Sequence, residues 1–183
     1  MTKKLIAIVA FILATTATLE AQEIKWMTFD QAIAAQKKKT KKIFVDVYTN
    51  WCGPCKMLAN NTFKNKDLVN YVNDNYYAVK FNGEGNEVVN YKGQKFENKD
   101  YDPARAQSRN SLHPLTNYLQ VQAYPTMVFL DEKNDLITGI TGYMSPTQLE
   151  LYLKMFKNDE HKSITNQQEF QVYQSKFKPT FKN

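Results

Sequence analysis

Cys52 and Cys55, in the string Asn50-Trp51-Cys52-Gly53-Pro54-Cys55-Lys56, are the only cysteines among 183 residues. Two thiols two residues apart suit thiol–disulfide exchange, in which one thiolate attacks a disulfide and the second thiol resolves the mixed disulfide. The thiolate, not the thiol, is the nucleophile. The apolar run from Lys42 to Tyr48 leads into the pair and reads as a strand, with a helix opening at the pair itself. That order puts Cys52 at a helix N-terminus, where unpaired N–H groups and the helix dipole favour an anion. Cys52 is the predicted nucleophile and Cys55 the resolving thiol. Pro54 suits the first helical turn, where no N–H is needed, and Gly53 is expected to let the strand-to-helix turn close without Cβ strain.

Other uses of the pair fit less well. Structural bridges in oxidising compartments usually close longer loops than this small ring. Zinc would need two further ligands, and the two histidines, His113 and His161, fall in separate elements. Haem attachment requires histidine where Lys56 stands. Neither a cofactor nor a metal is expected, and the reactive group is the Cys52–Cys55 disulfide itself.

The elements that must position the pair can be read in chain order. Thr28 and Gln31 form a capping-box pattern at a helix start, and Trp26, Phe29 and Ile33 share three- and four-residue spacing, which predicts one core-facing stripe. The helix runs into Lys37-Lys38-Lys39-Thr40-Lys41-Lys42, read as a solvated helix end favoured by the C-terminal dipole. Ile43 to Tyr48 has the continuous hydrophobicity of a central strand covered on both faces. Asp46 interrupts it, and a carboxylate inside such a strand must raise its pKa or find a partner.

The motif helix is expected to break at Asn60-Asn61, before Asn65 caps a second helical segment. Tyr76 to Phe81 reads as the next strand, ended by Asn82-Gly83-Glu84-Gly85. Residues 83–111 are polar without a sustained period and predict either a flap or hairpin beside the active site or a surface excursion. Leu112 to Gln120 predicts a short helix with Pro114 near its start. Strands follow at Thr126–Leu130 and Leu136–Thr141 around a turn at Asp131–Asp135. Ser145 and Pro146 open a helix to about Phe156, with Leu149, Tyr152, Leu153 and Phe156 inward. His161 is read as a solvated helix-end residue, and residues 161–183 as a helical extension with a basic tail on the outside of the fold.

The string Trp51-Cys52-Gly53-Pro54-Cys55-Lys56 resembles thioredoxin, and further positions match that family's pattern. Asp46, six residues before Cys52, stands where thioredoxins hold a buried carboxylate, and Lys80 where they place a lysine beside it. Tyr124-Pro125-Thr126 matches the segment whose proline is cis and faces the sulfurs, and Gly142 falls near a glycine bordering the substrate groove. On residues alone the Tyr124–Pro125 bond defaults to trans, since X-Pro bonds are cis in only about 5–6% of folded cases. The resemblance implies cis. It also implies an α/β, thioredoxin-like fold with a central mixed β-sheet flanked by helices, an insertion at about 83–111 before the cis-Pro strand, and domain limits near 22–160.

In function the resemblance implies a thiol–disulfide oxidoreductase. Asp46 would accept the Cys55 proton, Lys80 would tune that carboxyl, and Trp51, Gly53, Pro54, Tyr124, Pro125 and Gly142 would shape the groove, with Tyr124 facing substrate. Gly-Pro between the cysteines resembles reducing thioredoxins, and histidine, common there in oxidases and isomerases, is absent. A reductase is therefore expected, with an isomerase or oxidase, or a non-catalytic peptide-binding module, as alternatives. The chain also resembles exported proteins related to the C-terminal domain of the DsbD-type membrane reductant carrier. Its implied partners are disulfide-containing exported proteins and a membrane thiol–disulfide electron donor.

The address follows from the first residues. Lys3 and Lys4 precede the apolar run Leu5–Leu13, the pattern of a secretory signal peptide over residues 1–21. Cleavage is expected after Ala21, with Ala17 as the alternative. Nothing in the leader is a cysteine, so a lipoprotein anchor is not expected. Formal net charge is +6, and loss of Lys3, Lys4 and Glu20 lowers it to +5. This mild basicity without an aromatic-interleaved stripe argues against nucleic-acid binding. A monomer in the periplasm or outside the cell, free of or peripheral to the membrane, is the expectation.

Overall fold

Lys42–Tyr48 (β2) is the strand on which the structure is built, its first six residues all buried. In the computed structural model, which describes residues 23–182, β2 lies between β3 (Tyr76–Asn82) and β6 (Thr126–Leu130). The predicted leader lies outside the described residues. A two-residue strand, β1 (Trp26–Met27), pairs parallel to β3, and β7 (Leu136–Thr141) pairs antiparallel to β6. The sheet order is β1-β3-β2-β6-β7, with β3 parallel and β6 antiparallel to β2, so the sheet is mixed as expected. A separate hairpin, β4 (Val89–Tyr91) and β5 (Gln94–Phe96), belongs to the insertion.

Strand alternation divides the core in two. Ile43, Val45 and Val47 pack with Phe29 and Ala32 of α1 (Phe29–Lys38) and with Leu115 and Leu119. Phe44 points the other way, towards Leu58 of α2 (Gly53–Asn60), Leu68 and Val72 of α3 (Lys66–Asn75), and Leu149, Leu153 and Phe156 of α5 (Pro146–Lys157). Asp46 is two residues from Phe44 and therefore shares its face. A five-residue helix, α4 (Pro114–Tyr118), precedes the Tyr124-Pro125 loop. The predicted caps are formed: Thr28 with Gln31, Asn65 on Leu68, and Ser145 with Gln148.

Three expectations need correction. Trp26 does not share the α1 stripe with Phe29 and Ile33, because the chain enters as β1 at the edge of β3. Its ring packs instead on Phe44 and Phe63, in the opposite core layer from Phe29. Lys42, counted in the solvated lysine run, is 2% exposed and bonds Glu132 at 2.6 Å and Asp159 at 3.0 Å. Burial alone would lower its pKa, but these two carboxylates outweigh it and hold the pKa above the usual lysine value. His161 is half-buried, its ring edge-on to Phe156 at 5.2 Å, because the last turn of α5 brings that ring beneath it.

The C-terminal extension packs on the outside of the α3/α5 layer through α6 (Gln167–Lys176), whose Phe170 and Tyr173 reach the core. Its end is fastened by Glu150, a fully buried carboxylate missed in the sequence because it sits between leucines on α5. Glu150 accepts hydrogen bonds from the Thr180 and Phe181 backbone N–H groups at 2.9 Å and from Lys154 Nζ at 2.5 Å. Burial pushes its pKa up, but Lys154 and the Thr180 and Phe181 donors prevail and hold it below the usual carboxylate range. This stabilisation is present above the unfolded carboxyl pKa and lost as pH falls through the folded one. Glu150→Gln should therefore free the tail, raising amide exchange at Thr180 and Phe181 and costing about 2 kcal/mol of stability at neutral pH.

The insertion has two halves. The first is the β4–β5 hairpin, whose Val89, Tyr91 and Phe96 are buried in the α1-side core, edge-on to Phe29 and Tyr118. It is held at the β6–β7 turn by Tyr91, whose hydroxyl donates to the Asn134 carbonyl at 2.5 Å. A hairpin was one of the expected forms, but it packs into the core rather than beside the motif. The second half, 102–110, turns back to the motif loop.

Candidate active site

β2 and α2 together place the cysteines. Cys52 is the N-cap of α2, and its Sγ accepts the Cys55 N–H at 3.1 Å. The two are joined as a disulfide with Cα atoms 5.3 Å apart. Both are buried, with 2% and 5% exposure. Pro54 stands in the first turn as predicted. Gly53 does not carry the steric role expected of it: a Cβ there would meet open space, and its backbone is outside the left-handed region.

Asp46 and Lys80 are register partners on β2 and β3. Asp46 is 2% exposed, its Oδ2 lies 3.4 Å from Lys80 Nζ, and its Oδ1 has no hydrogen-bond partner among the described residues. Burial pushes the carboxyl pKa up, Lys80 opposes it, and the result is about 6. The Lys80 ammonium lies over the rings of Tyr48 at 4.9 Å and Trp26 at 5.2 Å. An open pocket of about 220 Å³ connects this region to solvent, lined by Lys80, Cys55, Lys56 and Gln107 among others. Water can therefore reach the Cys55 side of the disulfide.

The register Val47↔Thr126 brings the Tyr124-Pro125 segment to the end of β2 that bears the motif. The Tyr124–Pro125 bond is cis. Gly142 closes the loop from the other side, donating its N–H to the Pro125 carbonyl at 2.8 Å. Its φ of +106° is a conformation that glycine alone adopts readily. Tyr124 is less free than expected. Its ring stands edge-on to Trp51 at 6.0 Å and so close to Gly83 that a Cβ there would fall 2.6 Å from it. The ring is thus wedged behind Trp51, and burial pushes its hydroxyl pKa up to about 12.

Sequence reasoning missed the residues that brace Trp51. Glu84 Oε2 accepts both the Trp51 indole N–H and the Asn110 backbone N–H at 2.8 Å. Asn50 Nδ2 donates to the Ala106 carbonyl at 2.7 Å, and the Arg109 guanidinium lies 4.5 Å over the Trp51 ring. These contacts span 26 to 58 residues of chain. The one local signal was Glu84 in a Gly-Glu-Gly turn directly after a strand.

Among the described residues no group of three or more His, Cys, Asp or Glu side chains is placed to hold a metal, and no helix is long and apolar enough to cross a membrane. The arrangement sets a disulfide at a helix N-terminus, on the loop that follows a strand carrying a buried carboxyl of raised pKa, and disulfide exchange is the chemistry such a sulfur offers.

Comparison with solved structures places this geometry among thioredoxin folds. A thioredoxin-fold protein from Helicobacter pylori superposes with TM-score 0.54 at 20% identity, over 87% of this chain and 91% of that one. A thioredoxin from Thermus thermophilus gives 0.53 at 14% identity, over 73% and 87%. A candidate disulphide-isomerase from Bacteroides thetaiotaomicron gives 0.50 at 25% identity, over 75% and 93%. No curated protein gives a significant match. The family model described as a thioredoxin-like domain matches residues 29–157, from the start of α1 to the end of α5. The chain belongs to the thioredoxin-like domain family.

Proposed function

We propose that the protein is an exported thiol–disulfide oxidoreductase that reduces protein disulfides through Cys52 and Cys55. The observation that carries the oxidoreductase reading is the Cys52–Cys55 disulfide at the N-terminus of α2, just after the strand that bears the buried Asp46, whose carboxyl pKa burial pushes up to about 6. Such a carboxylate costs folding free energy, and its placement is accounted for by proton transfer at neutral pH.

The reaction balances as follows. The Cys52 thiolate bonds to one sulfur of the substrate disulfide, that bond breaks, and the other substrate sulfur leaves with the electron pair and takes a proton. Cys55 gives its proton to Asp46 and attacks Cys52, releasing the second substrate sulfur as a thiolate. Two electrons have passed to the substrate, and the enzyme is left with the Cys52–Cys55 disulfide. A dithiol donor must then reduce that bond; for an exported protein, a membrane thiol–disulfide carrier of the DsbD type is the proposed source.

The Gly-Pro pair between the cysteines supports the reducing direction. A second reading, disulfide isomerisation, is favoured by the likeness to the candidate disulphide-isomerase at 25% identity. Redox titration of mature protein against a dithiol buffer separates them. A reductase should equilibrate near the thioredoxin value of about −270 mV, and an isomerase near about −180 mV. A bridge that dithiol does not open would overturn both and leave a peptide-binding module.

A further inference from the structure

Of the 24 basic residues in the chain only two, Arg105 and Arg109, are arginines. Both stand exposed on the 102–110 arm, which is pinned to the motif loop at two points. Asn50 holds the Ala106 carbonyl, and Glu84 ties the Asn110 N–H to the Trp51 indole. The base of the arm is closed on itself: Asp102 N–H donates to Asn110 Oδ1 at 3.0 Å, and Asn110 Nδ2 donates to the Asp102 carbonyl at 2.8 Å. The backbone of this arm is therefore fixed beside Cys52 and its flanking tryptophan.

The arginine charges on the arm are not neutralised. Neither arginine forms an ion pair among the described residues. Glu84 is engaged by the Trp51 and Asn110 N–H groups, and Asp102 by the Ala104 N–H at 2.9 Å. Arg109 lies over the Trp51 ring, an arrangement that leaves the edge of the guanidinium fork free for a carboxylate.

The geometry points to the arm as a recognition wall for acidic segments: the preferred substrates are disulfides whose neighbouring residues carry Asp or Glu, held by Arg105 and Arg109 while Cys52 attacks. This rests on the oxidoreductase reading above and names its substrate class. Arginine suits the task because its planar fork pairs with carboxylates bidentately. Binding of this kind acts before the chemistry, so the preference belongs in KM rather than kcat.

The test uses two self-quenched cystine peptides of identical core, one with two glutamates beside the cysteine and one with two glutamines. The readout is the ratio of kcat/KM for the two within each protein. Wild type should prefer the glutamate peptide about five- to tenfold, the range expected of two partly exposed ion pairs, with the difference in KM and diminishing as salt is raised. Arg105→Gln should reduce the ratio, and Arg105→Gln with Arg109→Gln should bring it to about one. Arg109→Lys, which keeps charge but not the fork, should fall between. A wild-type ratio near one, or a ratio that survives the double substitution, overturns the inference while leaving the oxidoreductase reading intact. Failure of wild type to reduce either peptide overturns both.

Discussion

Cys55→Ser protein, reduced and mixed with disulfide substrates, accumulates as a covalent adduct through Cys52, and turnover falls by at least about a thousandfold. The reason is the division of labour at the helix end. Cys52 caps α2 and keeps its attacking role in the variant, but no second thiol remains to break the mixed disulfide. Cys52→Ser loses turnover to the same extent and forms no adduct, because Cys55, the third residue of α2, is not the N-cap whose sulfur accepts a helix N–H. Non-reducing electrophoresis and mass spectrometry of the adducts provide the check. Adducts through Cys55 in the Cys52→Ser protein, or none in either, would overturn the assignment.

Asp46→Asn makes the protein more stable at pH 7 and a poorer enzyme. With the folded-state pKa near 6 and the ordinary value at 3.8, the folded state holds the Asp46 proton more tightly than the unfolded chain. Wild-type stability therefore declines as pH rises from about 4 to about 6, and the loss is complete above that. Two pKa units correspond to about 3 kcal/mol. Asparagine has no such titration, so denaturant unfolding should show little difference between the proteins near pH 4 and an advantage of about 2–3 kcal/mol for the variant at pH 7. The mixed disulfide should meanwhile resolve about a hundredfold more slowly, and the inflection near pH 6 in the resolving step should vanish. Equal stability of the two proteins across this range would show that the carboxyl is not strained by burial.

How much of this was visible in the residues follows the range of the interactions. The motif, the strand before it and the caps at Thr28, Asn65 and Ser145 are local, set by side chains within a few positions, and could be read directly. Asp46 was legible as an anomaly in an apolar strand, but its 3.4 Å approach to Lys80 depends on β2–β3 register, which the resemblance supplied rather than the pattern. The cis bond at Pro125 came from the same source. Trp26 was misplaced because three-residue spacing looks helical even where a chain enters by strand pairing. Lys42 and Glu150 were missed for one reason: buried charge is tolerated only with partners, and theirs lie between 4 and 117 residues away in the sequence. The bracing of Trp51 by Glu84 and Asn110 required a polar, aperiodic segment to return to the site, and no periodicity records a return.

The two halves of the insertion differ in what their replacement would cost the fold. Val89, Tyr91 and Phe96 complete a core layer, so a relative lacking the hairpin must refill that space with larger side chains from α1 or α4. The 102–110 arm contributes hydrogen bonds and exposed charge but no buried apolar side chain. Natural drift and laboratory shuffling should therefore exchange the arm freely between homologues, carrying substrate preference with it, while the hairpin is inherited with the scaffold.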